Sequence, residues 1–269
     1  MNSIPLDAMN FSQRHDLKRF LSIALTYLFL SSCASKKEML YFQDIASKDG
    51  RQLNYDSSKI QVNDILSIKI SSLHPETAIP YNFDNSLSTN SSFIETLKLQ
   101  GSLVSSEGYI TLPIIGAVEA KGKSTSELEL HITKILEEGD HLKDAIVSAR
   151  ILNSKITVLG EVNLPGTYTI TEQNVSLMQA LGYAGDLTIN GKRTDVLIIR
   201  DENGKQTIKH VDLTKTDWFD SPFYFVKQND VIVVNPNDAK IKSSGYIGNV
   251  GTVLTIASII LSAVVILTR

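Results

Sequence analysis

The side chain best suited to covalent chemistry is the thiol of Cys33, the single cysteine among 269 residues. A basic flank, an uncharged apolar run over 20–30 and the pair Ser31-Ser32 precede it in that order. The basic flank consists of Arg14, Lys18 and Arg19. This order is typical of a bacterial lipoprotein signal peptide, whose cysteine receives a diacylglyceryl group and becomes the mature N-terminus. We therefore predict a signal peptide over 1–32 and lipidation of Cys33.

Lipidation at Cys33 places several acyl chains in one leaflet, which anchors a protein stably. A lipidated N-terminus and polar spacer are then expected over 33–58, with translation starting at Met1 or Met9. Tyr41 and Phe42 are the residues of this spacer that we expect to dock it. The alternative is a buried apolar helix with an incidental cysteine. A single cysteine also excludes an intrachain disulfide.

The C-terminal end of the chain is an uncharged run from residue 246 to residue 268. As a helix, these 23 residues would measure about 34 Å, enough for a hydrocarbon core of about 30 Å. We therefore predict a transmembrane helix over 245–269. A buried core helix and an amphipathic surface helix are the alternatives, although the second would need a charged face.

Small and hydroxyl side chains recur along this run at steps of three, four or their sum, so that they share one side of the helix. They are Gly248, Gly251, Thr255, Ser258 and Ser262. Such a stripe marks a close contact between membrane helices or a wall that faces a wet lumen. The third possibility is a simple tail anchor whose hydroxyl groups bond to their own backbone.

No constellation of residues indicates catalysis. The histidines at 74, 131, 141 and 210 are scattered, and the sequence has no phosphate-binding glycine loop, nucleophile elbow or metal-spaced cluster. We therefore predict no catalytic residue, no metal and no cofactor. The net charge of -3 gives no long-range attraction to nucleic acid.

Between the two ends, short alternating apolar segments and turn residues predict a β-rich α+β protein with two small mixed α/β domains, over 59–152 and 153–240. In the first domain we expect two short strands around Asn63-Asp64 and an edge or bend at Pro113. A helix capped by Ser124 and Glu127 should end at Gly139, and it should pack on a small mixed sheet.

In the second domain, Pro165-Gly166 predicts a hairpin corner and Asn203-Gly204 a second hairpin. Ser176 begins a short helix, and a last strand is expected over 231–234. The segment before Asp230 repeats the one before Asp64, and we interpret the shared Asn-Asp step as turn chemistry.

Two groups of residues resemble known domains. Gly108, Leu112, Pro113 and Gly116 lie in a stretch that resembles the polysaccharide biosynthesis/export domain. Gly160, Glu161, Pro165 and Gly166 lie in one that resembles the soluble-ligand-binding β-grasp (SLBB) domain. With the lipid-attachment motif before them and the apolar segment after them, the order resembles that of Wza-type outer-membrane lipoproteins.

The resemblance implies a ring-shaped homo-oligomer that exports a capsular or extracellular polysaccharide. It implies a lipid-anchored place in the outer membrane, with most of the chain in the periplasm. The partners it implies are other copies of the chain, the polysaccharide, outer-membrane lipid, and an inner-membrane polysaccharide co-polymerase or tyrosine autokinase. Nucleic acid is not among them.

Two features depart from the family pattern. The chain has one β-grasp domain where the best-known members have two, and Asp186 stands where the domain commonly has a second glycine. The alternative to export is a glycan-binding or scaffold lipoprotein that transports nothing. An aromatic cluster could then stack on sugar rings, although core or subunit contact is the other interpretation; it comprises Trp218, Phe219, Phe223, Tyr224 and Phe225.

Overall fold

The computed structural model describes most of the two predicted domains and part of each end. The described residues are 38–47, 50, 52, 55, 58–83, 98–202, 204–244 and 250–267. Within the last range, the side chains at 250, 253, 260, 261 and 263–267 are not among them. The predicted signal peptide, Cys33 and Gly248 therefore lie outside the described residues.

Over its described residues, 58–83 and 98–152, the first unit combines an antiparallel three-stranded sheet, one hairpin and one long helix. Its elements are β1 (Ile65–Ser71), α1 (Pro75–Ala78), β2 (Ser102–Leu103), β3 (Tyr109–Leu112), β4 (Gly116–Glu119), α2 (Thr125–Glu138) and β5 (Ile146–Ile151). The sheet has the order β2-β1-β5, and β3 pairs with β4 alone. This hairpin confirms the bend predicted at Pro113, which lies in its turn.

Helix α2 closes the core of the first unit. The Ser124 side chain accepts from the Glu127 N–H, and the Glu127 carboxylate accepts from the Ser124 N–H at 2.6 Å, so the predicted capping box is confirmed. Leu128, Ile132 and Leu136 follow at the four-residue helical spacing and are fully buried. Burial of each side chain stabilises the fold by about 1.5–3 kcal/mol.

Two predictions for the first unit are wrong. Ile60 and Val62 form no strand, because Asn63 has a φ of 69° and turns the chain before β1 begins. The backbone of Ile60 instead bonds to Lys123 O and Gly122 N, at 2.9 Å each. The sheet is also antiparallel throughout rather than mixed.

The second unit, residues 155–236, has a five-stranded mixed sheet with the order β10-β9-β12-β6-β7. Its elements are β6 (Lys155–Gly160), β7 (Gly166–Thr169), β8 (Val175–Ser176), α3 (Leu177–Tyr183), β9 (Gly191–Glu202), β10 (Lys205–Val211), β11 (Phe225–Val226) and β12 (Val231–Pro236). β12 runs parallel to β6 and antiparallel to β9. Leu177, Ala180 and Leu181 of α3 are fully buried in the core of this unit. The two units confirm the predicted mixed α/β class.

After β12 the chain forms α4 (Asp238–Ser243), capped by Asn237, and α5 (Val250–Leu267). Helix α5 has 18 residues and is therefore about 27 Å long. Across the residues that the structure describes, no helix has both the length and the apolar character needed to cross a membrane. The transmembrane helix predicted over 245–269 is thus not supported by the described residues.

Candidate functional site

The four export-motif residues build the β3–β4 hairpin. Gly108 has a φ of 93°, and a Cβ there would lie 2.7 Å from the Cβ of Lys121. Gly108 O accepts from the N–H groups of Ala120 and Lys121, which ties the two ends of the hairpin together. Leu112 is buried and lies opposite Gly116, with Pro113 in the turn between them. These residues therefore shape the backbone.

The four β-grasp motif residues lie where β6 leaves the sheet. Gly160 has a φ of 91°, and a Cβ there would lie 2.0 Å from Val234 O, so only glycine fits. The Glu161 carboxylate accepts from the Thr188 hydroxyl at 2.8 Å. Pro165 and Gly166 form the corner before β7, as predicted. These four residues therefore also have a structural role, and Glu161 anchors the loop that contains Thr188.

The repeated Asn-Asp segments form two equivalent turns. Asn63 and Asn229 have φ values of 69° and 65°. The Asp64 carboxylate accepts from the Gln61 N–H at 2.7 Å, and the Asp230 carboxylate accepts from the Lys227 N–H at 2.8 Å. The interpretation of this repeat as turn chemistry is confirmed.

The two turns contact each other at the junction of the units. Gln228 Nε2, in the second turn, donates to both carboxylate oxygens of Asp64, at 2.9 and 3.2 Å. Both residues are only 4% exposed. Burial raises the pKa of Asp64, although the Gln61 N–H and Gln228 oppose the rise. Gln228 Oε1 is buried and has no hydrogen-bond partner within the described parts of the chain.

Asp230 instead forms an ion pair inside the second unit. Arg200 donates to it from Nη2 at 2.7 Å and from Nε at 2.9 Å. The same guanidinium donates to the carbonyls of Pro222 and Phe225 and lies 4.5 Å from the Phe223 ring centroid. Burial raises the pKa of Asp230, while Arg200 opposes the rise. The pair fixes the segment that precedes the junction.

A short N-terminal segment, residues 38–47, packs on the second unit; we call it the strap. The Phe42 N–H donates to Leu213 O at 3.2 Å and the Gln43 N–H to Thr214 O at 2.8 Å. The Phe42 ring packs on Trp218 and Phe219, with centroids 6.4 and 5.3 Å away. The spacer therefore docks on the second unit, although it directly precedes the first.

The aromatic cluster belongs to this packing. Trp218 is buried, and Phe219, Phe223 and Tyr224 pack half-buried against the core of the second unit. The ring of Phe225 packs against the ring of Tyr55, with the two centroids 5.4 Å apart. The interpretation of the cluster as core is thus confirmed for its described contacts.

The hydroxyl groups of the α5 stripe bond within their own helix. Thr255 donates to Gly251 O, Ser258 to Thr255 O and Ser262 to Ser258 O, at 2.8 to 2.9 Å. This is the geometry of the tail-anchor alternative in a single chain. Each hydroxyl oxygen keeps its ability to accept from a neighbour.

Among the described residues, no group of three or more metal-ligating side chains comes together. The His210 ring nitrogen Nδ1 lies 2.6 Å from an Asp195 carboxylate oxygen on an exposed hairpin. Sequence reasoning missed Arg200 and Gln228. Arg200 lies in an ordinary strand and Gln228 in an ordinary turn, and neither segment indicates that the side chain has a partner far away in the sequence. The docking of Tyr41 and Phe42 was predictable, because they are adjacent aromatic residues in a largely polar spacer.

Comparison with known proteins identifies both units. The profile of the polysaccharide biosynthesis/export protein family matches residues 53–152, and that of the SLBB domain matches 155–208. The EPS I polysaccharide export outer membrane protein EpsA of Ralstonia solanacearum is 28% identical over 204 residues. The protein of the same name from Ralstonia nicotianae is 28% identical over 203. Each alignment covers 73% of this chain and 52% of the relative, so the chain spans about half the length of these curated relatives.

Proposed function

Because the chain belongs to the Wza-type polysaccharide biosynthesis/export family, we propose that it is one subunit of an oligomeric outer-membrane channel for a capsular or extracellular polysaccharide. The observation that carries the proposal is the ordered pair of domain matches on two packed units. The family is one of export proteins and not of enzymes. Its relatives are named as export proteins of the outer membrane.

The proposed domain plan follows the sequence. A signal peptide over 1–32 is removed, 33–58 carries the lipid on Cys33 and the spacer, and the two periplasmic domains occupy 59–152 and 153–240. The export-motif and β-grasp glycines serve as the fixed corners of these domains. The polymer is driven by its synthesis and by an inner-membrane co-polymerase or autokinase, so that the channel itself needs no catalytic residue.

We propose that the last segment, 245–269, functions only when several copies of the chain associate. It has no charged residue from 246 to 268, and the described side chains of Leu254, Ile256 and Ile259 are exposed on a single chain. Apolar surface of this kind is stable in lipid or against another copy. Several copies side by side would bury it and turn the stripe with Ser258 toward a neighbour or a wet lumen.

The test measures polysaccharide secretion by cells in which the variant replaces the natural gene. Deletion of 245–269 should reduce secretion to the level of cells without the gene. Because a deletion can also prevent folding, Ser258→Leu serves as a second variant and Ile256→Leu as its control on the opposite side. Normal secretion after the deletion would contradict the proposal.

The alternative, a lipoprotein that binds glycan without transport, predicts a different particle. The channel requires a large ring after extraction in mild detergent, whereas the scaffold requires a monomer. Electron microscopy of the extracted full chain separates the two. The aromatic cluster gives the scaffold little support, since its rings pack into the second unit.

A further inference from the structure

One loop of the second unit, residues 185–190, contacts both the strap and the residue that caps α4. On one side, the Tyr41 hydroxyl of the strap donates to Asp186 Oδ1 at 2.6 Å. On the other, Asn237, which begins α4, donates from its N–H to Asn190 O at 2.7 Å and from Nδ2 to Ile189 O at 3.2 Å. The loop therefore joins the N-terminal strap to the exit of the C-terminal segment.

Asp186 holds a backbone conformation that favours glycine, with a φ of 68°. Its carboxylate accepts from the Leu187 N–H at 2.7 Å as well as from Tyr41. The aspartate thus occupies a left-handed position and contributes a bond that glycine could not make. The departure from the family pattern coincides with the contact to the strap.

The buried Arg193 side chain contacts both this loop and Tyr41 of the strap. It is 8% exposed, and its guanidinium donates to the carbonyls of Leu187, Thr188 and Gly191. The guanidinium carbon lies 5.2 Å from the centroid of the Tyr41 ring, within the range of a cation–π contact. Arg193 O also accepts from the Leu213 N–H, next to the strap's backbone contacts.

The tyrosine is suited to act as a permanent donor. Burial and the bond to Asp186 raise the pKa of Tyr41, although Arg193 opposes the rise. The phenol therefore keeps its proton at physiological pH, and the contact to Asp186 persists.

We propose that Tyr41, Asp186 and Arg193 form a latch that fixes the lipid-anchored N-terminus beside the exit of the C-terminal segment. Because the anchor at Cys33 is part of the proposed function, the role of the latch in tethering rests on that proposal. With the latch closed, the tether from Cys33 to Tyr41 reaches at most about 29 Å. Without the strap contacts the next residue that packs on a folded unit is Tyr55, whose ring lies against Phe225, and the tether could reach about 79 Å.

The latch is tested on the full lipidated chain in detergent with Tyr41→Phe and Asp186→Gly. Tyr109→Phe, at another partly exposed tyrosine, is the control for the first. Asp140→Gly is the control for the second, because Asp140 also has a positive φ, of 55°, outside the strap contacts. Hydrogen exchange of a peptide covering 38–47 should accelerate by about tenfold or more in the latch variants and in neither control. Exchange over α2 should not change.

A second readout measures the geometry that the latch fixes. Acylation blocks the Cys33 thiol, so Leu40→Cys and Ile241→Cys, at exposed positions, accept a pair of spin labels. Labelled subunits diluted into unlabelled ones should give one narrow distance distribution, which broadens in Asp186→Gly and Tyr41→Phe. Equal exchange in the latch variants and their controls, or an unchanged distribution, would overturn the latch. Neither readout depends on polysaccharide secretion, and a free Cys33 thiol, seen by mass spectrometry, would count against the proposed lipid anchor instead.

Discussion

The turns before β1 and β12 have the same backbone and different partners. Each places an asparagine at positive φ, and in each the following aspartate accepts from the N–H three residues earlier. Asp230 is neutralised by Arg200 inside its own unit, whereas Asp64 receives only the uncharged amide of Gln228 from the other unit. Local sequence thus fixes the turn, and the tertiary neighbours decide what its carboxylate does.

The difference separates two uses of a buried carboxylate. Arg200 and Asp230 are only 4% and 1% exposed, so each charge has lost most of its water and is compensated by the other. Asp64 is as deeply buried, but its contact to Gln228 leaves one amide oxygen without a partner in the described part of the chain. We infer that the first arrangement stabilises the second unit and that the second aligns the two units.

The largest effect is expected from Arg200→Met. It leaves the Asp230 carboxylate buried without a cation, and removal of one partner of a buried ion pair costs about 3–5 kcal/mol. Urea unfolding followed by the fluorescence of Trp218, which is buried in the same unit, measures the loss. The exposed Arg150→Met on β5 is the control and should change stability by less than about 0.5 kcal/mol. Equal losses in the two variants would show that the pair does not hold the unit.

Replacing the aspartate of each turn by asparagine compares the two turns directly. Asp230→Asn leaves Arg200 without an anion and should cost about 1.5–3 kcal/mol. Asp64→Asn should cost less than about 1 kcal/mol, because Gln228 can turn its amide and accept from the new side chain with its unpartnered oxygen. Urea unfolding followed by circular dichroism compares the whole chains. A cost for Asp64→Asn as large as that for Asp230→Asn would refute the distinction between the turns.

Much of the fold was predictable, because its signals are local. The capping box at Ser124, the bend at Pro113 and the corner at Pro165-Gly166 each depend on residues within one short segment. The strand predicted at Ile60 failed, since alternation alone does not reveal that Asn63 turns the chain before a ladder can form. The mixed or antiparallel character of a sheet depends on distant pairings, which no short segment encodes.

The candidate site was predictable only where composition departed from its surroundings. Tyr41 and Phe42 stood out in a polar spacer, and Asp186 stood out at a glycine position. The contact of Gln228 with Asp64 joins residues 164 positions apart, and the Arg200–Asp230 pair joins residues 30 apart. Since polar residues are common at turns and strand ends, their sequence gives no sign of which of them will be buried together.

The smallest expected effect is the pH dependence that belongs to Asp64. Burial raises its pKa in the folded chain above the ordinary value of 3.8, so the native state binds the proton more tightly than the unfolded state. Its contribution to stability is therefore fully present below pH 3.8 and is lost as the pH rises through the raised native pKa. Asp64→Asn does not titrate, and its free energy of unfolding should lack this decline. Urea midpoints of both chains across that acidic range measure the difference, which should shift in favour of the variant with rising pH and then level off. Parallel curves would mean that the Gln61 N–H and Gln228 fully compensate the burial of Asp64, and the contrast between the two turns would then rest on Arg200 alone.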